Sequence, residues 1–360
     1  MIKPISAENG YFEGDNMTDI KKYNLMIVVI IIASGITFGV ELFIDASGSG
    51  GWMEALLCTF ISAAVYPLLF NPAAIGEFGR SSGLLNKILV LFVTFGGIIY
   101  VASLTASVAD NITTAFLNRT PVQYILLLLI LPGAVGCWFG TKSLARYGLP
   151  VAVGGIAVVV LLFIMCIGEY NDDNLYPLFG RGISGSLKGL SGIGIFAPIV
   201  FYYVVLSCCK GKYRGARSNV IKIILLSGLT VAVVCLGINL LMPYPGAEAT
   251  SMPLYTLGAS VRGNYLIERS ESVVLILWLF CAYIAVGGVT AITSHMCAIA
   301  FGLDNRNALT GAFCGCVLTT GLIICAVDGV ERAFSLASSI LGILSLTVPL
   351  VINIRHRFVR

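Results

Sequence analysis

Apolar runs broken by short polar, glycine or proline punctuation dominate the chain and predict ten membrane-spanning helices. The expected spans are Asn24–Phe43, Trp52–Phe70, Leu84–Ala109, Val122–Phe139, Leu149–Ile167, Ser191–Cys208, Val220–Leu241, Ser272–His295, Ala308–Val327 and Ala333–Ile352. Each has about the 20 apolar residues that a bilayer crossing requires. The polar stretch Asp304-Asn305-Arg306-Asn307 separates the eighth from the ninth. Residues 1–23 read as a polar leader without the basic start and early apolar core of a cleavable signal, so span one is expected to act as the insertion signal. Residues 24–354 form the membrane domain, with halves at about 24–167 and 191–352, and 355–360 are a basic tail.

Composition agrees with this reading. Hydrophobic residues make up 58% of the chain and charged residues 11%, against roughly 25% charged in soluble domains. A water-facing surface would lack polar cover, whereas lipid accepts an apolar exterior. The distribution of positive charge then tests the span count. With ten spans, 16 of the 22 basic residues fall on the side of the termini, including Lys21, Lys22, Lys142, Arg146 and the cluster from Lys210 to Lys222. The positive-inside rule therefore predicts that both termini are cytoplasmic.

Little in the sequence points to bond-making chemistry. The two histidines, His295 and His356, have no nucleophile or metal-ligand partner at a suggestive spacing. Most of the eleven cysteines sit inside apolar runs, where they behave as small hydrophobes, and no Cys-x-x-Cys occurs. The expectation is no enzymatic activity, no cofactor, no metal site and no nucleic-acid partner. Glu41 and Glu54, at the outer ends of spans one and two, are expected to be solvated at the interface.

The most informative feature is a matched pair of weak helices. Span one contains Ser34-Gly35-Ile36-Thr37-Phe38-Gly39, and span six opens with Ser191-Gly192-Ile193-Gly194-Ile195-Phe196-Ala197-Pro198. Glycine and proline weaken a helix by about 1 and 3 kcal/mol relative to alanine. Interruptions at equivalent places in two halves are the sequence pointer to a midplane site in an inverted-repeat transporter. Freed N–H groups bind a carboxylate and freed carbonyls an ammonium, a set that suits a zwitterionic amino acid. The alternative is that these glycines serve close helix packing. Tyr100 in span three is a candidate pocket wall, or an interhelical hydrogen bonder. Thr290 and Ser294, four apart on one face of span eight, are candidate ligand contacts, or bond their own helix carbonyls. The outer connections Gly168–Leu190 and Met242–Glu271 are longer than a simple turn needs and shape either an access path or a passive link. A short interfacial helix is expected around Leu254–Val261.

Several segments, in order, carry a family resemblance. They are Thr120-Pro121; the run Gly140 to Arg146; Asn174-Leu175-Tyr176-Pro177-Leu178-Phe179-Gly180; and Ile267-Glu268-Arg269-Ser270-Glu271 leading into Leu277-Trp278. From about Lys22 to Ile354 the chain resembles the spore germination permease family, the GerAB-like B subunits of nutrient germinant receptors, within the amino acid–polyamine–organocation transporter superfamily. Gly50-Gly51 departs from the family pattern, in which an acidic residue precedes the tryptophan equivalent to Trp52. The resemblance implies an all-α, five-plus-five inverted repeat (LeuT/APC-like) with helices one and six discontinuous. It implies a receptor for a small germinant of the amino acid class, in the spore inner membrane, working with an A-type membrane subunit and a C-type lipoprotein. It adds weight to Gly35, Ile36, Thr37, Gly192 and Gly194 as the ligand cradle. An amino acid permease and a structural or channel-forming subunit that binds no nutrient are the alternatives.

Overall fold

The computed structural model describes residues 17–71, 83–208, 215–248, 252–260, 270–303, 306–327 and 329–358. Residues 1–16 of the leader, Lys210, Lys212 and Arg214, the Ile267-Glu268-Arg269 stretch, Asp304-Asn305 and the last two residues of the tail lie outside these. Among the described residues there are ten helical spans. Span one runs Met17–Ser34, continues as a π-helical segment Gly35–Gly39, and ends as Val40–Ser47. Spans two to five are Gly51–Leu69, Leu84–Ala115, Val122–Trp138 and Thr141–Met165. Span six is assembled from a helix Gly182–Gly189, a 3-10 segment Leu190–Phe196 and a helix Ile199–Cys208. Spans seven to ten are Ala216–Leu241, Ser270–Phe301, Arg306–Ala326 and Val330–Phe358. Among the described residues, eight stretches are long and apolar enough to cross a membrane. One, Ile20–Leu69, holds both spans one and two, and Val122–Trp138 is a shorter apolar helix.

The packing repeats between the halves. Span one packs on span five as span six packs on span ten. Span three meets spans nine and ten as span eight meets spans four and five, and spans two and seven, like three and eight, face each other. Exchanging one half for the other maps these pairings onto themselves, which is the signature of an inverted repeat. Spans one and six form the axis. Met26 to Ile32 and Ile199 to Leu206 are each at most 3% exposed, so these helices are apolar all round because protein surrounds them. Spans four and five are apolar all round for a different reason. Leu127, Leu128, Leu131, Val153 and Val160 point outward from the bundle, as lipid contact allows.

The turn between spans one and two is tight. Gly48 adopts φ +65°, a conformation that favours glycine. Asn239 of span seven donates to the carbonyls of Gly48 (3.3 Å) and Ser49 (2.8 Å), and Ser49 donates to Pro177 O at 2.6 Å. Asn174 donates to Leu240 O at 3.0 Å, while Arg181 reaches back to Ser47 O and Asp45 O. The long connection after span five is therefore a bracket. Its Asn174-to-Gly180 stretch ties the turn between spans one and two to the end of span seven. The connection after span seven carries helices Tyr244–Glu248 and Pro253–Ala259, the second close to the expected interfacial helix.

Candidate functional site

Local chemistry explains the π segment. Ser34 donates its hydroxyl to Ile31 O (3.1 Å), and Thr37 donates to Ala33 O (2.7 Å), so side chains compete for carbonyls of the preceding turn. Gly35 and Gly39 remove steric resistance to the wider turn, which closes as Val40 N–H bonds to Gly35 O. Such π segments inside α-helices are frequent at functional sites. In span six, Gly192 and Gly194 lower the helical preference and Pro198 supplies no N–H. The chain tightens into 3-10 geometry, with Ala197 N–H on Gly194 O at 3.0 Å and Phe201 N–H on Pro198 O at 3.0 Å.

The cradle glycines serve close approach in this conformation. A Cβ on Gly35 would strike Val231, one on Gly39 would meet Ile195, and one on Gly192 would run into the Phe43 ring. Gly194 stands over Ser338, whose Oγ would be 3.3 Å from an added Cβ. Beside the π segment, Phe38 stacks on Phe334 with centroids 3.8 Å apart, and Tyr100 lies 5.8 Å from the same Phe334 ring. Tyr100 is fully buried; its hydroxyl lies near Ser34 without a formed hydrogen bond. Thr290 is buried in span eight. Ser294 bonds Ala291 O and lies 3.4 Å from Thr310 Oγ1, so it addresses span nine.

Open volume lies one step away, toward the side opposite the termini. A pocket there is lined by Ile36 and Thr37 of span one, Asn111 of span three, Met252 to Tyr255 at the loop helix, and Val274, Leu275 and Trp278 of span eight. Trp278 donates its indole N–H to Thr37 Oγ1 at 3.1 Å. Thr37 is thus held between its own helix and span eight, at the pocket lining. Of the eight sequence candidates, Ile36 and Thr37 line this space. Gly35, Tyr100, Gly192, Gly194, Thr290 and Ser294 are not among its lining residues. Asn111 and Tyr255 carry no sequence signal of such a role, and Trp278 is marked in the sequence only as part of a family-like segment. Most of the wall is apolar, with a few polar residues, as small-molecule sites commonly are. Among the described residues no group of three His, Cys, Asp or Glu side chains is placed to hold a metal ion.

Glu54 departs from the expectation of solvation. It is only 3% exposed, because the outer part of span six lies across it. A Cβ on Gly189 would strike its side chain, and Cys58 Sγ lies 4.0 Å from Glu54 Oε1 and 3.5 Å from Gly189 O. Placed one turn into span two, the residue looked interfacial; the neighbouring half's loop and helix remove it from water.

Comparison with known proteins adds the following. The family model described as "Spore germination protein" matches residues 19–328. No curated protein matches the sequence. Among solved structures, the chain is similar to Mhp1, a nucleobase-cation-symport-1 family transporter in a closed conformation with bromovinylhydantoin bound. The TM-score is 0.54 at 13% identity, covering 89% of this chain and 76% of that one. It is also similar to a mutant of the Eremococcus coleocola manganese transporter, with TM-score 0.57 at 13% identity over 89% of this chain and 78% of that one. At such identity the likeness shows the fold: the five-plus-five transporter architecture with discontinuous helices one and six.

Proposed function

Given that the chain belongs to the spore germination protein family, we propose that it is the nutrient-binding B-type subunit of a germinant receptor, taking a small amino acid in the cavity above the π segment. The reading rests on one observation. The weak stretch of span one contributes Ile36 and Thr37 to a mainly apolar pocket, and a hydrogen bond from Trp278 holds Thr37 in place there. Thr37, Asn111 and Tyr255 supply polar groups for the charged end of an amino acid, and Ile36, Leu254, Val274 and Leu275 receive its side chain. A ligand that binds one arrangement of spans one, six and eight more tightly than the other biases the equilibrium between them. Gly35, Gly192 and Gly194 serve in this scheme as the close contacts that the rearrangement remakes, and Tyr100 offers a hydroxyl to the rearranged site. Thr290 and Ser294 stay with the span eight scaffold that faces it. We place both termini in the cytoplasm, the chain in the spore inner membrane, and an A-type membrane subunit and a C-type lipoprotein as its partners.

The test is a thermal-stability panel of single amino acids on the purified chain. A ligand present at about 100 times its Kd stabilises the folded state by about 2.7 kcal/mol. Leu275→Trp, which fills the cavity, should abolish both that stabilisation and the nutrient response while the protein stays in the membrane. Normal stabilisation and response in Leu275→Trp exclude the cavity as the site. The transporter fold of both structural neighbours favours a second reading, a secondary amino acid permease. Uptake of labelled amino acid into liposomes along an ion gradient would establish it, and binding without uptake would reject it.

A further inference from the structure

The nutrient reading leaves one buried ionisable group unused. Glu54 lies in the first turn of span two, 3% exposed, roofed by Gly189 where the helix Gly182–Gly189 passes into the 3-10 part of span six. Its polar neighbours are the Cys58 thiol and the Ser186 hydroxyl, and Cys58 also faces Gly189 O. Span two packs against the outer part of span one, span six, span seven and span ten. From span one, Glu41 faces Asp45 and Glu331 of span ten, forming a separate acidic group. From span six, Arg181 is engaged with Asp45 O and stacks over the Tyr244 ring, and Lys188 is exposed. From span seven, Arg217 bonds Phe70 O at the opposite end of span two, Lys222 is exposed, and Cys235 is buried in the core. Arg332 of span ten is exposed. Among the described residues, Cys58 is the ionisable side chain that stands directly beside the Glu54 carboxyl group.

A carboxylate sealed from water without a cation is costly, whereas a neutral carboxyl group is a hydrogen-bond donor as well as an acceptor. We infer that Glu54 is a proton-binding site, and that one proton held on its carboxyl group lets the outer part of span six dock on span two. Binding converts the carboxylate and a proton into the neutral acid, with no other bond made or broken. Release restores the carboxylate, which draws water and loosens the Gly182–Phe196 segment. Because that segment leads into the weak stretch of span six, proton occupancy sets how readily the span moves. The inference does not depend on which solute the cavity holds.

Two measurements on the full chain in lipid nanodiscs test it without any nutrient. In infrared difference spectra across a pH titration, the wild type should show a neutral-acid carbonyl band that disappears as pH rises. Glu54→Gln, close in shape to the neutral acid, should lack that component, and Ser186→Ala should shift its frequency. Hydrogen–deuterium exchange over Gly182–Phe196, corrected for intrinsic pH dependence, should quicken about tenfold in the wild type as the band disappears. In Glu54→Gln the corrected rate should stay at the slow value. Wild-type and Glu54→Gln spectra that superimpose, or the same pH-dependent exchange in both, would overturn the assignment. A nutrient site that proves to lie elsewhere leaves these readouts unchanged.

Discussion

Whether the span-six glycines touch ligand or only make room for a neighbour is decided by a cycle of two substitutions, Gly192→Ala and Phe43→Leu. Gly192 is buried in the 3-10 segment, and an added Cβ would collide with the Cε1 and Cζ edge of the Phe43 ring. Phe43 is itself 1% exposed, so the ring has nowhere to go without displacing core. Overpacking of this kind costs about 1–3 kcal/mol. Replacing glycine where φ is compatible recovers about 0.4–1 kcal/mol through the unfolded chain. The net expectation is a loss of about 1–2 kcal/mol for Gly192→Ala. Phe43→Leu removes the ring edge, leaves a gap and costs about 1–2 kcal/mol alone. If the collision is the whole story, the double variant is less damaged than the sum by about 1–2 kcal/mol, since residues in contact couple on that scale. Reversible unfolding of the purified chain in detergent measures the cycle, with the nutrient response read in parallel. Additive losses would refute the packing account. So would a double variant that regains stability and still fails to respond, because the glycine would then be needed for something beyond space.

Other outcomes follow from named contacts. Trp278→Phe keeps the ring wall but loses the N–H to Thr37, which should cost about 0.5–1.5 kcal/mol and weaken amino acid binding measured by thermal shift. Thr37→Val should lower binding as well, and the pair should be clearly non-additive, since each removes the same bond. Gly228→Ala drives a methyl into Thr59 at the contact of spans two and seven and should destabilise, whereas Gly315→Ala, with open space around it in span nine, should stabilise by about 0.5–1 kcal/mol. Cysteines placed at Lys188 and Lys142 should be labelled by an impermeant thiol reagent from opposite faces of the membrane; labelling from one face would reverse the topology argument.

Much of the fold was readable because bilayer crossing imposes a length and a composition on each segment. All ten expected spans are helices, and boundaries differ mainly at their ends, as with span three, which reaches Ala115 where Ala109 was expected. The weak stretches were readable for the same reason, since glycine, serine, threonine and proline act locally on the hydrogen-bond ladder. Their form was less so. Span one widens into a π turn while span six tightens into 3-10, although both carry a pair of glycines. The difference comes from Ser34 and Thr37 bonding back to carbonyls in one and Pro198 lacking an N–H in the other.

What the sequence could not show is which side of each interruption is empty. Gly35, Gly39 and Gly192 look alike as missing side chains, yet Val231, Ile195 and Phe43, from 149 to 196 residues away, fill the space they leave. The cavity arises instead where a loop helix after span seven settles beside the start of span eight and the weak stretch of span one. Spans one and three, far apart in the chain from the loop helix and span eight, line it together with them, so no local pattern encodes its walls. Glu54 follows the same logic with opposite sign: its own helix places it near water, and another segment takes the water away. In an inverted repeat the decisive contacts run between halves, and composition along one helix cannot report them. Here they leave Ile36 and Thr37 facing space, the adjacent glycines facing side chains, and one carboxyl group sealed beneath the segment whose movement it is placed to govern.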